Sequence, residues 1–154
     1  MSHRVQAKVT AETLIEWSGE VLVVDDNEGI RKMVRFALED AGYTVLEAPD
    51  GVEALNCLRN HTKQLVVLLD LNLPRLDGWG LLSAVSQTPL ARRHRYLLVT
   101  AEGDTLHPTF ARLLYQLHVP IIAKPYTINR LLEAVAERPN LGRVHEDYAA
   151  AGTM

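Results

Sequence analysis

Four short apolar runs punctuate the chain: Val21–Val24 (VLVV), Leu65–Leu69 (LVVLL), Tyr96–Val99 (YLLV) and Val119–Ala123 (VPIIA). Each is too short for a buried helix, is rich in Val, Ile or Leu, and lacks the alternation of a half-exposed strand. They therefore read as strands covered on both faces, as in a parallel sheet. Pro120 fits such a run only near its start. A fifth segment, 43–48 (YTVLEA), mixes polar and apolar residues as an edge strand does. Helical periods fall between the runs. Ile30, Met33, Val34, Ala37, Leu38 and Ala41 share one helix face, and Gly42 is placed to stop that helix. The spacing returns at Phe110, Leu113, Leu114 and Leu117 and at Ile128, Leu131, Leu132 and Val135, with weaker helices over about 51–60 and 79–87. Strand and helix thus alternate five times between about residues 20 and 138, which predicts a doubly wound α/β sheet with right-handed crossovers.

Composition narrows the function. The 154 residues amount to about one domain, and a formal charge of −3 denies the chain the global basic field of non-specific nucleic-acid binders. The run Arg92-Arg93-His94-Arg95 reads as a solvated loop before the fourth strand in preference to a patch for nucleic acid or an acidic partner. Cys57 is the only cysteine, so neither an internal disulfide nor a multi-cysteine zinc site can form. Its neighbours Val52, Ala54, Leu55 and Leu58 make it core filler rather than a nucleophile. The six histidines show no metal-binding spacing and are expected at the surface. No apolar leader opens the chain and no run approaches the ~20 residues of a membrane helix, so a cytoplasmic location is expected.

Every buried run ends in a polar group: Asp25-Asp26, Asp70, Thr100 and Lys124. In an open parallel sheet the carboxyl ends converge on one edge, where the reversal of strand order opens a ligand crevice. Three carboxylates crowded there repel one another, and Mg²⁺ together with Lys124 would balance them. A carboxylate, a hard cation, an ammonium and a hydroxyl are the parts needed to transfer a phosphoryl group to an aspartate. The plainer reading makes the aspartates and Thr100 strand-end or helix-cap residues and Lys124 a solvated lysine, and the shared edge argues against it. Trp79 reads either as half-exposed packing or as a reporter on the pocket.

These residues carry a family resemblance. The stretches VLVVDDNEGIR, LLDLNLPRLDGWGLL, LLVTAEGD and IIAKPYTINRLLEAV resemble the receiver domain of bacterial two-component response regulators, in particular the single-domain chemotaxis type. The acidic pair, the D-x-x-x-P-x-x-D-G loop, the T-A and the K-P occur in the family's order, each at the end of a strand. The resemblance implies a flavodoxin-like sheet of five parallel strands, ordered 2-1-3-4-5, with five flanking helices. It also implies roles. Asp70 would accept the phosphoryl group, and Asp26 and Asp70 would ligate Mg²⁺ with the main-chain carbonyl of Asn72, Asp25 acting mainly through water. Thr100 and Lys124 would grip the phosphoryl oxygens. A cis Lys124–Pro125 bond is implied, as are Pro74 and Gly78 shaping the loop after Asp70. Asn72 and Glu102 fall where the family tunes attack of water on the acyl phosphate, and their polarity implies a short-lived phosphorylated state. Ile121 departs from the pattern, because the family usually has Tyr or Phe there as a switch. Tyr126, after Pro125, is expected in the core.

A receiver is a signalling phosphoacceptor rather than a metabolic enzyme. Its expected partners are a sensor histidine kinase or histidine phosphotransfer protein and a downstream protein that the sequence does not identify, with no nucleic acid and no membrane. Three other readings stand beside it. A receiver-like interaction module signalling without phosphorylation is favoured by Ile121. A haloacid-dehalogenase-like enzyme normally has a second Asp two residues after its nucleophile, where this chain has Asn72. A dinucleotide-binding enzyme would need a G-x-G-x-x-G after the first strand, and there is none. Residues 1–19 read as an extension with a short amphipathic helix carrying Val9, Leu14, Ile15 and Trp17, either covering the domain or joining two copies as a homodimer. Residues 20–138 read as the receiver and 139–154 as a tail. No effector domain fits in these flanks, so the chain is expected to act alone by docking, or to be a piece of a longer hybrid protein.

Overall fold

A strand that is apolar at every position can feed two cores at once, because successive side chains point to opposite faces. The computed structural model, which describes residues 17–102 and 105–137, shows this arrangement. The expected helix within 1–19 and the tail over 139–154 lie outside the described residues, save for Trp17–Gly19. The elements in chain order are β1 (Glu20–Val24), α1 (Glu28–Asp40), β2 (Thr44–Ala48), α2 (Gly51–Asn60), β3 (Val66–Asp70) and α3 (Gly78–Ser86). They continue with α4 (Leu90–Arg93), β4 (Arg95–Thr100), α5 (Pro108–Leu117), β5 (Ile121–Ala123) and α6 (Ile128–Ala136). The sheet is parallel throughout and ordered β2-β1-β3-β4-β5.

Leu22, Val24, Val67, Leu69, Tyr96 and Leu98 face one side, where they meet Leu58 of α2, Leu81 and Leu82 of α3, and Phe110 and Leu114 of α5. Val21, Val23, Val66, Leu68, Leu97 and Val99 face the other, against Val34 and Leu38 of α1 and Leu131 and Val135 of α6. Burial of Leu22, Leu69 and Leu98 is complete, a contribution of about 2 kcal/mol each relative to exposure. Ile121 and Cys57 pack at the margin of the first core, and burial raises the Cys57 thiol pKa, which suits a filler.

The helix starts are written into the sequence. Asn27, Asp50, Asp77 and Thr127 each accept, through the side chain, the main-chain N–H three residues on: Ile30, Glu53, Gly80 and Arg130. Gly42, at φ +99°, ends α1. Tyr43 N–H donates to Leu38 O and Gly42 N–H to Glu39 O, closing the left-handed stop expected there. Among the described residues no helix is long and apolar enough to cross a membrane.

Three expectations change. Among the described residues six helices flank the sheet instead of five, because Leu90–Arg93 forms the single turn α4, anchored by buried Leu90 and too short to show a period. His94, expected at the surface, is buried at 3% exposure. Its Nδ1 accepts the Leu65 N–H (3.0 Å) and its Nε2 lies 3.2 Å from Leu58 O, an otherwise open carbonyl in the last turn of α2. Met33, placed with the core face of α1, is 51% exposed, and Phe36 beside it is 74% exposed. The covered stripe of α1 is narrower than its apolar pattern and centres on Val34 and Leu38.

Candidate functional site

The strand register brings the polar residues together. Val24 is paired with Leu69, which sets Asp25 next to Asp70 at the same edge. Asp70 is paired with Val99 and Thr100 with Ala123, so Lys124 follows one residue beyond Thr100's partner. Lys124 N–H also donates to Thr100 O at 3.0 Å. Side-chain oxygens of Asp25, Asp26 and Asp70 lie within 4.8 Å of one another. Lys124 Nζ donates to Asp70 Oδ2 at 3.1 Å. Asp25, Asp70 and Thr100 are buried, while Asp26 is exposed. None of these aspartates caps a helix; those positions belong to Asn27, Asp50 and Asp77.

Electrostatics follow from the crowding. Burial pushes the Asp25 carboxyl above its usual range, with the charges of Asp70 and Asp26 adding to the rise and the Asn27 N–H and Lys124 opposing it. Asn27 N–H donates to Asp25 Oδ1 at 2.8 Å, and Arg31 Nη1 donates to Asp25 O at 2.8 Å. Arg31 also bonds Glu47 on β2 at 3.0 Å, fixing the β1 end against its neighbour. Tyr126 packs against the second core and lines, with Asp25 and Asp70, a cleft between α1 and α6. Burial raises its phenol pKa.

Two loops close over the edge. After β3, Asn72 N–H donates to Asp70 Oδ1 at 3.2 Å, and Gly78 N–H returns to Leu71 O at 2.8 Å. A Cβ on Gly78 would stand 2.9 Å from Asp70 O, so only glycine allows this approach. After β4, Thr100 Oγ1 accepts the Glu102 N–H at 2.9 Å, which leaves its own O–H to donate. Asn72 Nδ2 then reaches Glu102 Oε2 at 2.7 Å, joining the loops. The Lys124–Pro125 peptide is cis, as expected. Trp79, at the start of α3, stacks on Phe110 (ring centroids 5.1 Å) and leans on His107 (5.5 Å), so it is packing that touches the second loop.

Sequence reading passed over Arg31, Asp50 and Arg75. Asp50 was findable, since D-x-x-E before an apolar run marks a helix start. Arg31 and Arg75 act through tertiary contacts that no spacing reveals.

Asp25, Asp26, Asp70, Thr100, Lys124, Asn72 and Glu102 are therefore gathered at one edge, whereas Ile121 starts β5 two residues before Ala123, paired with Leu98 and packed on the first core. A family model for the response regulator receiver domain matches residues 21–136. A relative in Rhizobium etli named "Probable chemotaxis protein CheY" is 32% identical over 117 residues, spanning 75% of this chain and 88% of its own length. Several transcriptional regulators are matched over only 25% to 34% of theirs. The crystal structure of chemotaxis protein CheY4 of Vibrio cholerae superposes with a TM-score of 0.64 at 31% identity, covering 82% of this chain and 98% of CheY4. The receiver domain of the sensor histidine kinase PA1611 of Pseudomonas aeruginosa, solved with a magnesium ion coordinated in its active-site cleft, gives 0.63 at 25% identity, covering 76% of this chain and 93% of that domain. With the five-stranded order, the converging carboxylates and the lysine in place, the chain belongs to the response regulator receiver domain family.

Proposed function

We propose that this chain is a phosphorylation-controlled receiver that takes a phosphoryl group from a phosphohistidine of a sensor kinase or phosphotransfer protein onto Asp70. The observation that carries this reading is the 3.1 Å contact from Lys124 Nζ to Asp70 Oδ2, made beside two further carboxylates. An Asp70 carboxylate oxygen attacks phosphorus, the P–N bond to the donor imidazole breaks, and the imidazole leaves with the electron pair and takes up a proton. Lys124 and the Thr100 hydroxyl are placed to donate to the oxygens on which charge collects.

The donor set suits Mg²⁺, since the oxygens of Asp25, Asp26 and Asp70 are hard ligands within 4.8 Å of one another, a spacing one small cation can share. Asp26, Asp70 and the Asn72 carbonyl would hold it, with Asp25 bonding through water. When bound, the ion supplies positive charge to the phosphoryl oxygens. Asn72 and Glu102, joined at the mouth, would order the water that hydrolyses the acyl phosphate, and their polarity supports a short-lived phosphorylated state.

We read residues 20–138 as the receiver unit, 1–19 and 139–154 as its flanks, and the protein as cytoplasmic, signalling by docking to a downstream protein. Incubation with Mg²⁺ and a small acyl phosphate donor, followed by intact mass measurement, tests the chemistry. The wild type should gain one phosphoryl group and Asp70→Asn none. The second reading, an interaction module that keeps the pocket but signals without phosphorylation, draws on Ile121 at the switch position. Absence of an adduct with every donor would select it.

A further inference from the structure

The loop that carries Asn72 turns at Arg75, and the turn has an unusual backbone. Arg75 lies in the left-handed region at φ +68°, and Leu76 N–H donates to Pro74 O at 2.7 Å across it. This is the strained form of a three-residue γ-turn, which persists only where surrounding contacts hold it. Two such contacts are present. Arg75 Nη1 donates to Asp50 Oδ2 at 3.0 Å and lies 3.9 Å from Glu53 Oε2. Asp50 is buried at 5% exposure and fixed by its bond from the Glu53 N–H, 2.9 Å, so it is a stationary anchor. Leu76 O presses on Gly51 so closely that a Cβ there would stand 2.0 Å away. The turn is thus latched to the start of α2, three residues beyond the carbonyl of Asn72.

We propose that Arg75 is a positioning residue for the phosphoryl-transfer site: its ion pair with Asp50 holds the turn that sets the Asn72 main-chain carbonyl for the cation. This rests on the metal-dependent reading above. Arg75→Gly removes the guanidinium while keeping a residue at ease at positive φ, and Asp50→Asn removes the charge while keeping a good helix cap. Both variants should therefore fold.

Mg²⁺ alone, titrated into the full chain and followed by amide shifts of Asp70 to Leu73, gives the readout. Each variant should bind Mg²⁺ about three- to fivefold more weakly, the scale of an ion pair whose arginine is 56% exposed. The double variant should be no weaker than either single one, and Arg75→Lys should recover most of the affinity, at thermal midpoints close to wild type. Wild-type affinity in both single variants, or a lysine variant as weak as the glycine one, overturns the proposal. A wild type that shows no Mg²⁺-dependent shift fails earlier and overturns the metal reading itself.

Discussion

Asn72 and Glu102, thirty positions apart in sequence, meet through Nδ2 and Oε2 at 2.7 Å and bridge the two loops that flank Asp70. The pair fixes both polar ends at the mouth of the site, where, in the proposed reaction, a water would line up with the phosphorus of an acyl phosphate. Replacing Glu102 by Leu removes the bridge and an acceptor for that water. One net hydrogen bond of about 1 kcal/mol corresponds to roughly fivefold in rate. Decay of the phosphorylated wild type and Glu102→Leu, followed by intact mass, should differ by at least that factor, with the variant slower. An unchanged decay would remove Glu102 from the hydrolytic step.

Lys124→Met keeps the aliphatic stem but removes the donor to Asp70. Loss of a donor aimed at developing charge costs roughly 10²-fold in rate. Phosphorylation by an acyl phosphate should slow by that order while Mg²⁺ still binds, because the carboxylates are intact. Rapid-mixing kinetics and a Mg²⁺ titration on one sample would separate the two effects.

His94 gives a pH dependence remote from the chemistry. Burial holds its pKa below the usual histidine value. The unfolded chain therefore binds a proton more readily than the folded one between the folded pKa and about 6.5, and stability rises with pH across that window. The His94 contribution is complete above about 6.5 and is lost as pH falls toward the folded value. His94→Leu leaves the Leu65 N–H and Leu58 C=O without their partner, a cost of about 2–4 kcal/mol. Urea unfolding at several pH values should show that loss near neutrality and a smaller one in acid.

Gly51→Ala reverses the ordinary helix preference. In an open helix alanine is better than glycine by about 1 kcal/mol. Here the new methyl would overlap Leu76 O, a main-chain atom that cannot rotate away. Destabilisation of about 1–3 kcal/mol is expected, as for overpacking. A variant as stable as wild type in denaturant would show that the loop yields.

What the sequence made legible were features decided locally or by the sheet's own rules. The strand runs, the stop of α1, and the arrival of Asp25, Asp70, Thr100 and Lys124 at one edge follow from periodicity and parallel topology. His94 was not legible because a histidine among arginines reads as solvated. Its burial depends on two main-chain groups, Leu58 O and Leu65 N–H, that only the assembled fold brings together. Met33 misled for the converse reason: α1 carries more apolar residues than α6 and the sheet can cover. Arg75 gave no signal, because its partner lies 25 positions back on another element.

The polar residues of the site begin one position past the last core residue of β1 and at the final residues of β3 and β4, so chemistry and packing occupy separate positions. The polar site and foldability can therefore drift independently over evolutionary time. A descendant that had lost Asp70 would keep both interior faces and every helix cap, and would persist as a folded scaffold open to new duties.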